Sequence, residues 1–231
     1  KRQTYSLLLN GFSVTAPYGQ KEAIAALPGV RAVEVAQTYA APKPPVATVE
    51  PNMHNSGSVV HVSKDYTGKG MLVGILDTGL DVNHEAFATE PAGQTMTRAR
   101  VQTAMENLNL HATGDLDQIY VSGKVPFAYD YADGDTDVND VQGHGTHVAG
   151  TVAANCSNLT GMAPDAQLAI FKVFSDTQSG TGDTWILPAL EDAVKLGVDV
   201  INMSLGMSCG FSSENEVCLL YTSDAADDTP C

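Results

Sequence analysis

Three short, predominantly apolar runs constrain this chain more than any other feature. Met71-Leu-Val-Gly-Ile-Leu76 is the first, and residues 168–174 and 198–203 repeat the type. A strand with one wet face alternates polar and apolar side chains. A continuous apolar run is buried on both faces, as in a parallel sheet covered by helices on each side. Between the last two runs, Ile186, Leu190, Ala193 and Val194 recur at helical spacing over residues 184–196. Pro188 lies near the first turn and Gly197 stands where a helix would end. Strand, helix and strand within about 35 residues form a parallel crossover unit, so the expected class is α/β.

Composition supports a packed core and excludes several alternatives. Of 231 residues, 43% are hydrophobic and 17% charged, which argues against wholesale disorder. The net charge of −15, with no Lys/Arg run to offset it, argues against a nucleic-acid partner. No apolar stretch approaches the roughly 18 residues of a membrane span. Cys156, Cys209, Cys218 and Cys231 are irregularly spaced without a C-x-x-C pair, unlike a zinc ribbon or a disulfide scaffold.

Along the chain, residues 1–40 read as a small α+β unit. Asn10-Gly11 between apolar runs predicts a hairpin turn, because both residues tolerate positive φ. A short helix over residues 20–27, stopped by Pro28-Gly29, and a strand over residues 30–35 are expected to follow. This is too little to bury a core alone. Residues 41–54 are a proline-rich linker, extended and accessible. The α/β pattern begins at about residue 55.

Two segments carry chemistry. Gly74-Ile-Leu-Asp77-Thr-Gly puts an acid where an apolar strand ends, and carboxyl ends of parallel strands are where sites form. Gly143-His144-Gly-Thr-His147-Val-Ala-Gly150 reads as a closely packed helix rich in small residues, with His144 at its N-terminal end. An Asp bonded to one ring nitrogen of a His leaves the other free to accept a proton from a hydroxyl nucleophile.

These two segments, with Gly161-Met-Ala-Pro164-Asp-Ala-Gln-Leu and Asp199-Val-Ile-Asn-Met-Ser-Leu-Gly206, resemble four successive landmarks of the subtilisin-like serine proteases. Their order matches that family's order of Asp before His before Ser, and is not deduced from spacing. The long separation of Asp77 from His144, with Val125-Pro-Phe-Ala-Tyr-Asp-Tyr-Ala-Asp133, is similar to the lactocepin-like cell-envelope proteinases of Gram-positive bacteria.

The resemblance implies the N-terminal half of a subtilisin-like parallel sheet with helices on both faces. Asp77 would be the orienting acid and His144 the general base. Ser204, Leu205 and Gly206 would form the backbone edge for a polypeptide substrate. Residues 5–35 resemble the back half of a subtilase propeptide, a ferredoxin-like fold that acts as intramolecular inhibitor. The family's Gly-Thr-Ser-Met-Ala nucleophile segment does not occur in these residues. Residues 218–227 resemble a translated sequencing adapter, so residues 217–231 read as a tail foreign to the fold, and residues 55–216 as part of the catalytic domain.

The expectation is a fragment of a secreted or cell-envelope serine endopeptidase precursor, inactive by itself. The alternative is a non-catalytic subtilase-like binding domain that has lost its nucleophile. Other chemistries fit less well. An aspartic protease needs a second such carboxylate and an all-β chain. His144 and His147 lack a convincing third metal ligand. The acidic run Asp130, Asp133, Asp135, Asp137, Asp140 fails the EF-hand pattern and reads as a solvated loop. No cofactor is required. The resemblance allows calcium around residues 155–162, but no motif calls for it.

Overall fold

The computed structural model describes residues 3–41 and 65–206. The expected linker beyond residue 41, the start of the expected catalytic segment at 55–64 and the expected tail from 217 onward lie outside the described residues. At the centre is a four-stranded sheet. Its strands are β4 (Leu72–Asp77), β5 (Phe127–Asp130), β6 (Gln167–Lys172) and β8 (Val200–Asn202), in the order β5-β6-β4-β8 and parallel throughout. All residues of β4, β5 and β6 are buried, whereas β8, from the third run, has Val200 exposed and Ile201 and Asn202 only half-buried, because it pairs on one side alone among the described residues.

Period-two alternation divides these residues between two cores. Val73, Ile75, Ala128, Leu168 and Ile170 face helix α4 (His144–Ala153), where they meet Ala149 and Ala153. Leu72, Leu76, Phe127, Ala169 and Phe171 face the other way, against Ile186, Ala189, Leu190 and Ala193 of α5 (Asp183–Leu196) and Val101 of α2 (Arg98–Asn107). A short helix α3 (Leu116–Ile119) adds Ile119 to that core. Helix α5 ends at Gly197 with φ of 72°, the left-handed stop that the sequence predicts.

The crossover from β6 through α5 does not return to an adjacent strand. It passes β4 and adds β8 on the far side. The steps β5-α4-β6 and β6-α5-β8 run in the same direction across the sheet, yet α4 and α5 lie on opposite faces. One of the two connections is therefore left-handed, against the strong right-handed rule for such units. This puts α4 on the side to which residues 73, 75 and hence 77 point.

The N-terminal residues differ from expectation. A hairpin forms between β1 (Thr4–Tyr5) and β2 (Gly11–Phe12), but Tyr5 pairs with Gly11 and residues 6–10 make the connection. Asn10-Gly11 is thus not the turn, and neither residue has positive φ. The cause is tertiary: the N–H groups of Ser6, Leu7 and Leu8 donate to Glu191 Oε1 at 2.9, 2.9 and 3.2 Å, which holds them out of a ladder. The expected helix is shorter, a 3-10 turn at Tyr18–Gln20 leading into α1 (Lys21–Ala25). Residues 30–35 form no strand. Pairing occurs further on, where β3 (Thr38–Tyr39) lies antiparallel to β7 (Thr181–Gly182). No described helix is long and apolar enough to cross a membrane.

Candidate active site

Asp77 is the last residue of β4, only 1% exposed, and alternation points it to the α4 side. His144 is the first residue of α4, preceded by Gly143 with φ of 78°. Helix start and strand end approach closely because Gly145 has no side chain: a Cβ there would lie 2.3 Å from the Gly79 carbonyl oxygen and 3.2 Å from Asp77 Cβ. The two functional groups meet at 2.7 Å, His144 Nδ1 to Asp77 Oδ1. Thr78 N–H donates to the same oxygen at 2.7 Å.

An ionised carboxylate only accepts, so Nδ1 carries the proton and Nε2 presents its lone pair. Burial pushes the Asp77 carboxyl above the usual carboxylate range, although the His144 bond and the Thr78 amide pull the other way. Asp77 Oδ2 is buried without a hydrogen-bond partner among the described residues, so the whole charge-assisted interaction runs through Oδ1.

Ser204, Leu205 and Gly206 follow β8. The pairing of β8 with β4 ends at Ile75↔Asn202, two residues before Asp77 on β4 and two before Ser204. The Ser204 hydroxyl donates to Asn202 Oδ1 at 2.9 Å, and Leu205 packs on the α5 core. His147 does not join the pair. Its ring is exposed and lines a cavity of about 240 Å³ with His84, Phe87 and Leu159, without the structural side-chain hydrogen bond among the described residues that its place in the motif suggests.

The acidic run is not uniformly a solvated loop. Asp133, Asp135 and Asp137 are exposed, but Asp130 is buried, 3.2 Å from the fully buried Lys172 Nζ. Burial raises the Asp130 carboxyl to about 6, against the Asp133 amide and Lys172. Among the described residues, no group of three or more His, Cys, Asp or Glu is placed to hold a metal.

The sequence reading takes Asp140, beside the pair, as part of a solvated loop and leaves out Glu191 and Asp183 of α5, on the opposite face of the sheet. Asp140 accepts hydrogen bonds from residues on both sides of the Asp77–His144 contact. Glu191 and Asp183, on α5, hold residues 3–41: Asp183 accepts from Gln37 N–H at 2.8 Å and from the Tyr39 hydroxyl at 3.0 Å. Buried polar residues in an otherwise apolar helix were the available signal, since each needs a partner.

A parallel α/β sheet with a buried Asp–His pair at one strand end defines the architecture of the site. Similarity to known proteins gives that architecture its family. The Subtilase family model matches residues 68–227, and the chain belongs to that family. It is 31% identical over 220 residues to the PI-type proteinase of Lactococcus lactis subsp. cremoris, covering 90% of this chain and 11% of that protein. It is 32% identical over 224 residues to the minor extracellular protease Vpr of Bacillus subtilis, covering 88% of this chain and 24% of that protein. The epidermin leader peptide processing serine protease of Staphylococcus aureus, a solved structure, aligns at a TM-score of 0.47 and 22% identity, over 73% of this chain and 35% of that one. The chain therefore spans about a tenth of the lactococcal relative's length.

Proposed function

We propose that this chain is part of a secreted or cell-envelope serine endopeptidase precursor that cleaves polypeptides with Asp77 and His144 as two members of a Ser-His-Asp triad. The observation that carries the reading is the 2.7 Å bond between His144 Nδ1 and the buried Asp77. In the reaction, His144 Nε2 takes the proton of a serine hydroxyl as its oxygen bonds to the scissile carbonyl carbon. The Nδ1–H bond to Asp77 holds the imidazole tautomer and stabilises the imidazolium. His144 then gives the proton to the leaving amine as the C–N bond breaks. The serine comes from a segment outside these 231 residues, so the chain by itself is inactive. Ser204, Leu205 and Gly206 offer one backbone edge to the substrate.

Residues 3–41 act in this reading as a propeptide that occupies the second edge, because β3 pairs with β7 and Glu191 gathers the Ser6, Leu7 and Leu8 amides. The test is casein hydrolysis by the full-length protein. His144→Ala and Asp77→Asn should each lower kcat by about 10³-fold or more. Labelling by a fluorophosphonate should also fall in His144→Ala. Turnover within a few-fold of wild type in both variants would overturn the roles of Asp77 and His144, and a wild type with neither turnover nor labelling would put the non-catalytic binding domain in place of the reading.

A further inference from the structure

We infer that Asp140 is a positioning residue for the Asp77–His144 pair, acting through the hydroxyls of Thr78 and Thr146. The role of the pair itself rests on the reading above. Asp140 lies four residues before His144, on the loop that leads into α4. Its Oδ1 accepts from the Thr78 hydroxyl at 2.8 Å, Gly143 N–H at 2.9 Å and Gln142 N–H at 3.2 Å. Its Oδ2 accepts from both the N–H and the hydroxyl of Thr146, each at 2.8 Å.

The directions of these bonds are fixed by chemistry. A carboxylate cannot donate, so both threonine hydroxyls must give their proton to Asp140. Each hydroxyl then has only lone pairs left for its second partner, and each second partner is an amide on the opposite element. Thr78 Oγ1, in the turn after Asp77, accepts from Gly145 N–H of α4 at 2.9 Å. Thr146 Oγ1, on α4, accepts from Asp81 N–H of the turn at 2.9 Å. One carboxylate thereby polarises two crossed links between the turn that carries Asp77 and the helix turn that carries His144. Thr78 N–H closes the circuit on Asp77 Oδ1. Burial would raise the Asp140 carboxyl, but the bonds from Thr146, Thr78 and Gly143 outweigh it and hold it below its ordinary range, so the acceptor state persists.

Part of this set is a helix cap. Gly143 has no side chain to cap α4, and Asp140 supplies the acceptor from further upstream. Thr78 Oγ1 also accepts from Gly145 N–H in the first turn of α4, so the two roles are separated by the readout: a cap alone changes helix stability, whereas positioning changes the His144 imidazole. Thr78→Val removes the bond to Asp140 and the acceptor of Gly145 N–H, and leaves the Gly143, Thr146 and Asp81 bonds intact. Asp140→Asn keeps the volume, but its amide nitrogen cannot accept from one of the hydroxyls.

The test uses the full-length protein for kinetics and the 231-residue chain for proton NMR. The NMR signal followed is the low-field resonance of the imidazole N–H held by a carboxylate. In Asp140→Asn and Thr78→Val, kcat should fall about 10- to 100-fold, the scale of a misplacement of reacting groups by up to an ångström, with KM within two-fold of wild type. The low-field signal should shift upfield or broaden. Thr78→Ser, which keeps the hydroxyl, should restore both readouts. Asp77→Asn is the control for the catalytic reading: loss of kcat there with Thr78→Val unchanged in kcat and in the NMR signal sinks the positioning role alone. Undiminished turnover in Asp77→Asn sinks the catalytic reading, and the NMR signal then decides whether Asp140 still positions the pair. Should Asp140→Asn fail to fold, Thr78→Val against Thr78→Ser supplies the test: a lower kcat with a shifted NMR signal supports positioning, and a loss of thermal stability with both readouts unchanged leaves only a cap.

Discussion

Every residue of β4 and β6 is buried, whereas across residues 3–41 only Tyr5 and Tyr39 are. The sheet region carries two apolar cores, one on each face. The N-terminal region leaves Leu7, Phe12, Val14, Tyr18, Leu27 and Val35 half exposed or more, and is held by two carboxylates of α5, a two-residue strand pair and the packing of Tyr5, Tyr39 and a few neighbours on the α5-side core. Area removed from water secures the first region, at roughly 25 cal/mol per Å². Hydrogen bonds to buried charges add to the second, each worth about 1.5–3 kcal/mol. A segment with so few buried side chains can leave at smaller cost to the fold beneath it, as the proposed inhibitory role requires.

The contrast can be broken or sharpened by substitution. Phe171→Ala, in the sheet core against Phe127 and Tyr131, should cost about 3–5 kcal/mol in denaturant unfolding. A loss under about 1 kcal/mol would mean that the sheet region is not secured by packing. Glu191→Ala should weaken the N-terminal contact by about 2–3 kcal/mol. Hydrogen exchange should then show protection lost at the Ser6, Leu7 and Leu8 amides and kept along Val73, Ile75 and Leu76. Loss in both regions together would show one cooperative unit instead of two.

Acid should act on the same contact. Burial would raise the Glu191 carboxyl, but the His111 bond and the Leu7, Ser6 and Leu8 amides outweigh it and hold it below the ordinary range. Its contribution is therefore complete above about pH 4.3, the ordinary glutamate value, and disappears as pH falls through the lower folded value. Asp130 works in the opposite sense: raised to about 6, it favours the folded sheet more as pH falls from about 6 toward about 4. Exchange protection of residues 6–8 lost already at about pH 5 would contradict this. Tyr39→Phe has a smaller effect: it removes the bond to Asp183 and should cost about 1.5 kcal/mol of N-terminal protection. Val14→Ala, at 56% exposure, should change neither region by more than about 0.5 kcal/mol.

Legibility followed the same division. Met71-Leu-Val-Gly-Ile-Leu76 predicts a doubly buried strand and β4 is one, because an unbroken apolar run has no wet face to offer. Helix α5 starts one residue before the expected 184 and stops at Gly197, since both the apolar spacing and the left-handed stop are local. Asn10-Gly11 misleads because its local preference is weaker than the pull of Glu191, which lies far along the chain on α5.

By itself the sequence determined the α/β class, the strand that carries Asp77 and the helix that begins at His144, because apolar periodicity and glycine stops act over a few residues. The tertiary structure alone decided three things. It set the strand order β5-β6-β4-β8, with a left-handed connection that no local rule favours. It buried Asp130, Asp140, Asp183 and Glu191 to different depths in a chain where all four read as ordinary acids. It brought Nδ1 of His144 to 2.7 Å from Asp77 across 67 positions of chain. Contacts at that separation depend on which faces of which elements meet, and one side chain's neighbours in sequence carry no record of that.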